Sequence, residues 1–190
     1  QAMAHLDMLR QLFGNLREVS WWDRRQRSLP VDSASLPWPL VNVENLQEAL
    51  SRDIDAVITC TSAAEPLLEA EAMRPGRLVI QVGYHEVSFA AIRCASRVVV
   101  DLWGDFCETS AKSLFQMYRA GEFSRERVDA DLGNLLLDGW RPAAGDSVYF
   151  SSFGLNVFDI ALASRVLRLA AERDTGILLP FFPEFPHAPE

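Results

Sequence analysis

Lysine is almost absent from this sequence: Lys112 is the only one, and arginine supplies nearly all of the 18 basic residues. That bias reads as genomic base composition and carries no function by itself. Basic residues are also outnumbered, 18 against 26 acids, for a formal net charge of −8. A chain of that sign is repelled at long range by nucleic acid and by anionic membrane surfaces, so neither is expected as a partner. Long apolar runs are missing too. None approaches the roughly 20 residues that cross a bilayer, and no signal-peptide pattern opens the chain. The three cysteines, Cys60, Cys94 and Cys107, lie far apart and form no CxxC pair. His5, His85 and His187 do not cluster. No metal site and no disulfide framework is therefore expected, and the thiols are those of a cytoplasmic protein. What is present is 190 residues, 49% apolar and 23% charged, the balance of an ordinary globular domain.

The apolar pattern then sets the fold class. Met3, Leu6, Leu9, Leu12 and Phe13 recur at helical spacing and Gly14 ends the run. No start signal precedes this helix, so the chain is expected to open in mid-helix. A short strand over 17–23 follows, and the prolines at 30, 37 and 39 make 28–40 a loop. Strands are expected near 41–43, 55–60, 77–83, 97–101 and 147–150, with helices over 46–52, 89–95, 105–120, 124–138 and 156–173. The long last helix would bury Val157, Ile160, Ala161, Ala163, Ser164 and Leu167, and Ile177 to Phe182 would form a final strand. The central strands are apolar on both faces, as in a parallel sheet covered by helices on each side. Strand–helix alternation at this spacing predicts α/β architecture: a doubly wound, Rossmann-like sheet lacking its first strand, with a C-terminal helical extension. The expected division is 1–145 for a dinucleotide-binding domain and 146–190 for a strand and long helix.

In open α/β sheets ligands bind beyond the carboxyl ends of the strands. Asp23 ends the second expected strand, where such folds place an acid against the adenosine ribose; Arg24 and Arg25 would instead suit a 2′-phosphate. NAD and NADP both stay open. Thr59-Cys60-Thr61-Ser62 follows the next central strand, with small hydroxyl side chains that admit a cofactor or simply satisfy a turn. Val82 and Gly83 end the strand after that, where a glycine lets a nicotinamide approach the backbone. His85 and Glu86 come next and are the acid–base pair of a strand-end loop. Ser152 and Gly154 precede the last helix, whose first N–H groups suit an anion or only begin the helix.

Several segments together resemble the ornithine cyclodeaminase/mu-crystallin family. Gln1-Ala2 matches the end of that family's glycine-rich loop, and Thr59 to Pro66 matches its T-x-T-S-x-x-E-P segment. Arg74-Pro75-Gly76 with the strand to Gly83, and Ser152-Phe153-Gly154-Leu155 with Asp159, follow in family order. The stretches from Val98 to Trp103 and from Ala130 to Gly133 most resemble members that make or reduce amino-acid imines, including the 2,3-diaminopropionate-releasing dehydrogenase. The resemblance implies an NAD- or NADP-dependent amino-acid dehydrogenase or imine reductase. Gln1, Asp23, Arg24, Thr61, Ser62, Val82, Gly83, Ser152 and Gly154 would line the cofactor, with His85 and Glu86 nearest the reacting carbon. It also implies a homodimer formed through a further domain that carries the substrate-binding lysine and arginine. Where the family's cyclodeaminases carry a catalytic aspartate, this chain has Tyr84-His85-Glu86. A non-catalytic binding or assembly role, as in part of the mu-crystallins, is the alternative.

Overall fold

The computed structural model describes residues 1–25, 35–177 and 179. They divide into two compact units, Gln1–Phe153 and Gly154–Glu190. The first contains helix α1 (Ala2–Leu12), strands β1 (Val19–Trp21) and β2 (Leu40–Asn42), α2 (Leu46–Ser51), β3 (Ala56–Thr59), β4 (Leu78–Gln81), α3 (Phe89–Cys94), β5 (Arg97–Val100), α4 (Ser113–Arg119), β6 (Val128–Ala130), α5 (Leu132–Leu136) and β7 (Val148–Ser151). The second contains α6 (Asn156–Glu172).

Every strand pairing is parallel, as the two-sided apolar strands predict. Five strands form one sheet in the order β3-β4-β7-β5-β6, and β1-β2 form a separate pair. The β7 strand thus lies inside the sheet, between β4 and β5. Its register sets Thr59 opposite Gln81, Gln81 opposite Ser151 and Ser151 opposite Val100. The alternation of strand side chains divides the core between two faces. Val98, Val100 and Tyr149 join Leu68, Val79, Ile92, Trp103, Leu114 and Phe115 on one face. Val99, Ala130 and Val148 pack with Leu78, Leu135, Trp140 and Phe150 on the other. A third, smaller cluster of Leu6, Trp38 and Leu40 seats α1 on the β1-β2 pair.

Between β1 and β3 runs a cleft of about 640 Å³, bordered by Val19–Trp22 on one side and Asp55–Thr61 on the other, with α1 along it. The bordering edges carry no strand pairing among the described residues. This is where a parallel strand would join the two sheets, in agreement with a doubly wound sheet lacking one strand.

Three expectations need correction or fall away. The stretches 105–120 and 124–138 are not two continuous helices. Asp105–Glu108 is a single 3-10 turn, and α4 starts only at Ser113. Val128–Ala130 is extended and pairs with β5, because the free edge of the sheet satisfies its backbone and Ala130 is buried there. The Asp131 carboxylate and the Asn134 side chain then form a capping box that starts α5. Helix α6 is present, but its expected inner side is not buried: Val157, Ile160 and Leu167 are 59%, 65% and 71% exposed. The expected strand at 177–182 lies almost wholly outside the described residues, as does part of the 28–40 loop. Among the described residues no helix is long and apolar enough to cross a membrane.

Arg77, only 2% exposed, is the internal brace of this unit. Its guanidinium donates to the carbonyls of Ile54, Ala72, Leu50 and Arg52, closing the chain ends left by α2 and the turn after it. Burial lowers its pKa, with Arg74 adding to the shift and Asp53 opposing it, and the hydrogen bonds to fixed carbonyl dipoles offset the cost of burial. Replacing Arg77 by Met leaves four acceptors without their donor, two of them buried, and should cost about 3 kcal/mol in urea unfolding. Arg77→Lys should recover only part, because an ammonium cannot reproduce the planar fork.

Candidate functional site

The carboxyl ends of β3, β4, β5 and β7 form a polar row, Thr59, Gln81, Asp101 and Ser151, each at least nine-tenths buried. Such residues are rarely this buried unless partnered. The partners of Thr59, Gln81 and Asp101 define the site, whereas the buried Ser151 hydroxyl meets no hydrogen-bond partner among the described residues. Asp101 accepts from the N–H groups of Leu102 and Phe153 and so ties the exit of β5 to that of β7. The Tyr149 hydroxyl donates to Gln81 Oε1. Burial raises its pKa and keeps it a neutral donor.

Gln81 begins the construction of the loop that follows β4. Its Nε2 donates to the Tyr84 carbonyl (3.0 Å) and to Ser113 Oγ (3.2 Å). The Tyr84 carbonyl also receives the N–H and the hydroxyl of Ser113. Lys112, one residue earlier and 2% exposed, points its ammonium at the carbonyls of Val82 and Gly83. The Glu86 carbonyl takes the N–H groups of Leu67 and Leu68. Four carbonyls of one short loop therefore face inward, and each is satisfied by a buried donor.

Glu86 sits inside this frame, with no exposed surface. One carboxylate oxygen receives the Thr59 hydroxyl at 2.8 Å and the other the Thr61 N–H at 2.5 Å. Its place exists only because residue 83 has no side chain. A Cβ there would fall on the Glu86 carboxylate carbon and both its oxygens, well inside contact distance. Gly83 is thus required by close packing within the loop, not by an unusual backbone angle.

Burial pushes the Lys112 ammonium down to about 8, with Glu86, then Asp101 and Cys60, pulling the other way. Tyr84 lies over the ammonium, 5.3 Å from ring centroid to Nζ. The Cys60 thiol is pushed up, by burial first and then by Glu86. It approaches His5 Nδ1 at 3.6 Å, and the His5 ring also meets the Gln1 carbonyl.

The adjacent residues His85 and Glu86 point apart. His85 is partly exposed and lines a cavity of about 270 Å³ with Glu65, Ser88, Ser113 and Gln116. Gln116 Nε2 donates to the Ala111 carbonyl, which can only accept, so that nitrogen is the amide's donor end. It meets His85 Nδ1 at 3.0 Å, making Nδ1 an acceptor. In the neutral ring the proton is therefore on Nε2, the tautomer that can donate toward a ligand.

The remaining expected residues lie as follows. Asp23 is half-buried at the end of β1, and its Oδ1 accepts from Arg25 N at 2.8 Å; Arg24 is exposed. Thr61 and Ser62 are exposed on the loop after β3, with Thr61 Oγ1 capping Ala63 N. Gln1 caps α1 and is exposed. Ser152 N donates to Gln81 O, extending the β4-β7 pairing. Gly154 turns the chain at φ +87° and falls in the second unit. The structure thus gathers Thr61, Val82, Gly83 and Glu86 around one loop and leaves Asp23 and Arg24 on the other side of the cleft. Sequence reasoning did not find Lys112 as a site residue. The available signal was that this residue is the chain's only lysine; it stands at the N-cap of α4, and nothing in the local pattern says that it is buried.

No family model matches the chain. Among curated proteins it is 26% identical to N-((2S)-2-amino-2-carboxyethyl)-L-glutamate dehydrogenase of Staphylococcus aureus, over 93% of this chain and 54% of that protein. It is 26% identical to the ketimine reductase mu-crystallin of Rattus norvegicus, over 87% of this chain and 51% of that protein. The chain spans about half the length of these relatives. Its fold matches that of the Δ1-pyrroline-2-carboxylate reductase of Thermococcus litoralis, solved with NADH and L-proline, at TM-score 0.76 and 21% identity, covering 94% of this chain and 58% of that one.

Two outcomes follow from the packed loop. Gly83→Ala should displace Glu86 and loosen the Thr59 to Thr61 loop, at about 2 kcal/mol in chemical unfolding. The same variant should show faster amide exchange at Thr61. Lys112 should make stability rise with pH from about 8 toward the ordinary lysine range, because there the unfolded chain binds a proton that the folded chain has released. The raised Cys60 and Cys107 thiols act in the opposite sense above the ordinary thiol value near 9, and Tyr149 above the ordinary tyrosine value near 10. Urea titrations at pH 7.5, 8.0, 8.5 and 9.0 should show this rise, and Lys112→Met should remove it.

Proposed function

We propose that this chain, a relative of the ornithine cyclodeaminase/mu-crystallin family, is the dinucleotide-binding part of an oxidoreductase. The reaction is hydride transfer between nicotinamide and the α-carbon of an amino acid or its imine. The observation that carries this reading is the parallel sheet whose carboxyl edge is closed by an inward-bonded loop at Val82 to Glu86, with the partly exposed imidazole of His85 on it. Both comparisons support it: the curated relatives are named as a dehydrogenase and a ketimine reductase, and the pyrroline-carboxylate reductase of the same fold holds NADH.

The residues present fit an NAD or NADP molecule. Asp23, anchored by its bond to Arg25 N, is the kind of acceptor a ribose diol needs, and Arg24 beside it suits a 2′-phosphate. Thr61, Ser62, Val82 and Gly83 offer small side chains and backbone along the strand ends, and Gln1 and Ser152 complete the set. When bound, the nicotinamide supplies or takes the hydride. The chain's own contribution is orientation. His85, its proton on Nε2, donates a hydrogen bond to the substrate and fixes its position, while Glu86 holds the β3 and β4 loops together. A small amino acid or imine is the substrate, and a second copy of the chain's full-length protein completes the assembly. Three unpaired thiols suit the reducing conditions of the cytoplasm.

The complete protein, titrated with NADH and with NADPH and followed by nicotinamide fluorescence, should bind at least one of them below millimolar concentration. No binding of either sinks the reading and leaves the non-catalytic role. With an amino acid turned over, His85→Ala, which removes the Nε2–H donor, should lower kcat by roughly 100-fold.

A further inference from the structure

We propose that Lys112 sets the preference of this site between oxidised and reduced nicotinamide. The inference rests on the dinucleotide reading above and extends it to a residue that reading does not use. The ammonium lies under the loop at the carboxyl end of β4, 2% exposed, and is held on two backbone carbonyls, Val82 and Gly83. It cannot swing away to solvent without orphaning both. It is a fixed positive charge in a poorly screened place, at the edge of the sheet where ligands of this fold class sit.

The two forms of the cofactor differ by one charge at the ring: oxidised nicotinamide is cationic and reduced nicotinamide is neutral. A fixed cation nearby therefore weakens the oxidised form and leaves the reduced form almost untouched. The charged and titratable groups around the ammonium are Glu86, Asp101 and Cys60, with the Tyr84 ring above it. Glu86 and Asp101 act in the opposite sense, and the protonation of Lys112 changes the charge of the group by one unit. Loss of that proton near pH 8 favours the oxidised form.

The test is a pair of equilibrium titrations of the complete protein, with oxidised and with reduced nucleotide, from pH 6.5 to 9.5. In the wild type the ratio of the two dissociation constants, oxidised over reduced, should fall by roughly fivefold or more as pH crosses 8. Lys112→Met should give the low ratio at every pH. Lys112→Arg, which keeps its charge, should hold the high ratio throughout, and Cys60→Ser should retain the wild-type step. A merely structural lysine would weaken both nucleotides together and leave the ratio unchanged. A flat ratio in the wild type overturns the proposal even if no variant folds, and so does a Met variant that keeps the wild-type ratio and step. Failure of the wild type to bind either nucleotide overturns the dinucleotide reading itself, which separates the two failures.

Discussion

The organisation of this site depends on one constraint: the carbonyls of the loop after β4 point into the protein, and each must find a donor there. A buried carbonyl left unpaired costs about as much as a lost hydrogen bond, so the loop is stable only where donors are waiting. Gln81, Lys112, Ser113 and the N–H groups of Leu67 and Leu68 are those donors. They come from β4, from the start of α4 and from the loop after β3, so three separate parts of the chain converge on one short turn. Because the loop's bonding capacity is turned inward, its shape is set before any ligand arrives.

The cost of this arrangement is charge in the interior. An ammonium and a carboxylate without solvent would be strongly unfavourable if isolated. Glu86 escapes isolation through two short bonds to Thr59 and Thr61, and Lys112 through two carbonyls and the face of Tyr84. Neither group is therefore a surface ion pair of small worth; each is built into the frame, and removing either leaves partners exposed to the full penalty of burial. Gly83 makes the arrangement sterically possible, since any side chain there takes the space of the Glu86 carboxylate.

Much of this was legible from the chain alone, for identifiable reasons. Two-sided apolar strands such as Arg97 to Val100 give parallel sheets wherever they occur, and the strand ends follow from where those runs stop. Asp23, Thr61, Gly83 and His85 were singled out by that route. The stretch 124–138 was misread because its apolar spacing also fits a helix, and only the presence of a free β5 edge beside Val128 to Ala130 decides for a strand. The apolar side of α6 was readable as a pattern, but a pattern does not say whether anything covers it. Val157 and Leu167 are exposed in this chain.

The pair after Gly83 divides the two kinds of information most clearly. Sequence by itself determined that an acid and an imidazole would follow the fourth strand of a parallel sheet, because strand periodicity fixes where that strand ends. It did not determine their roles, since neighbouring side chains leave a loop in different directions. Tertiary structure sent Glu86 inward to the Thr59 hydroxyl and the Thr61 N–H, and His85 outward to Gln116. It also carried Lys112, 29 residues beyond Gly83, under the same loop. No local pattern encodes that meeting: the donors come from distant segments, and only packing of those segments against the sheet brings them to the carbonyls.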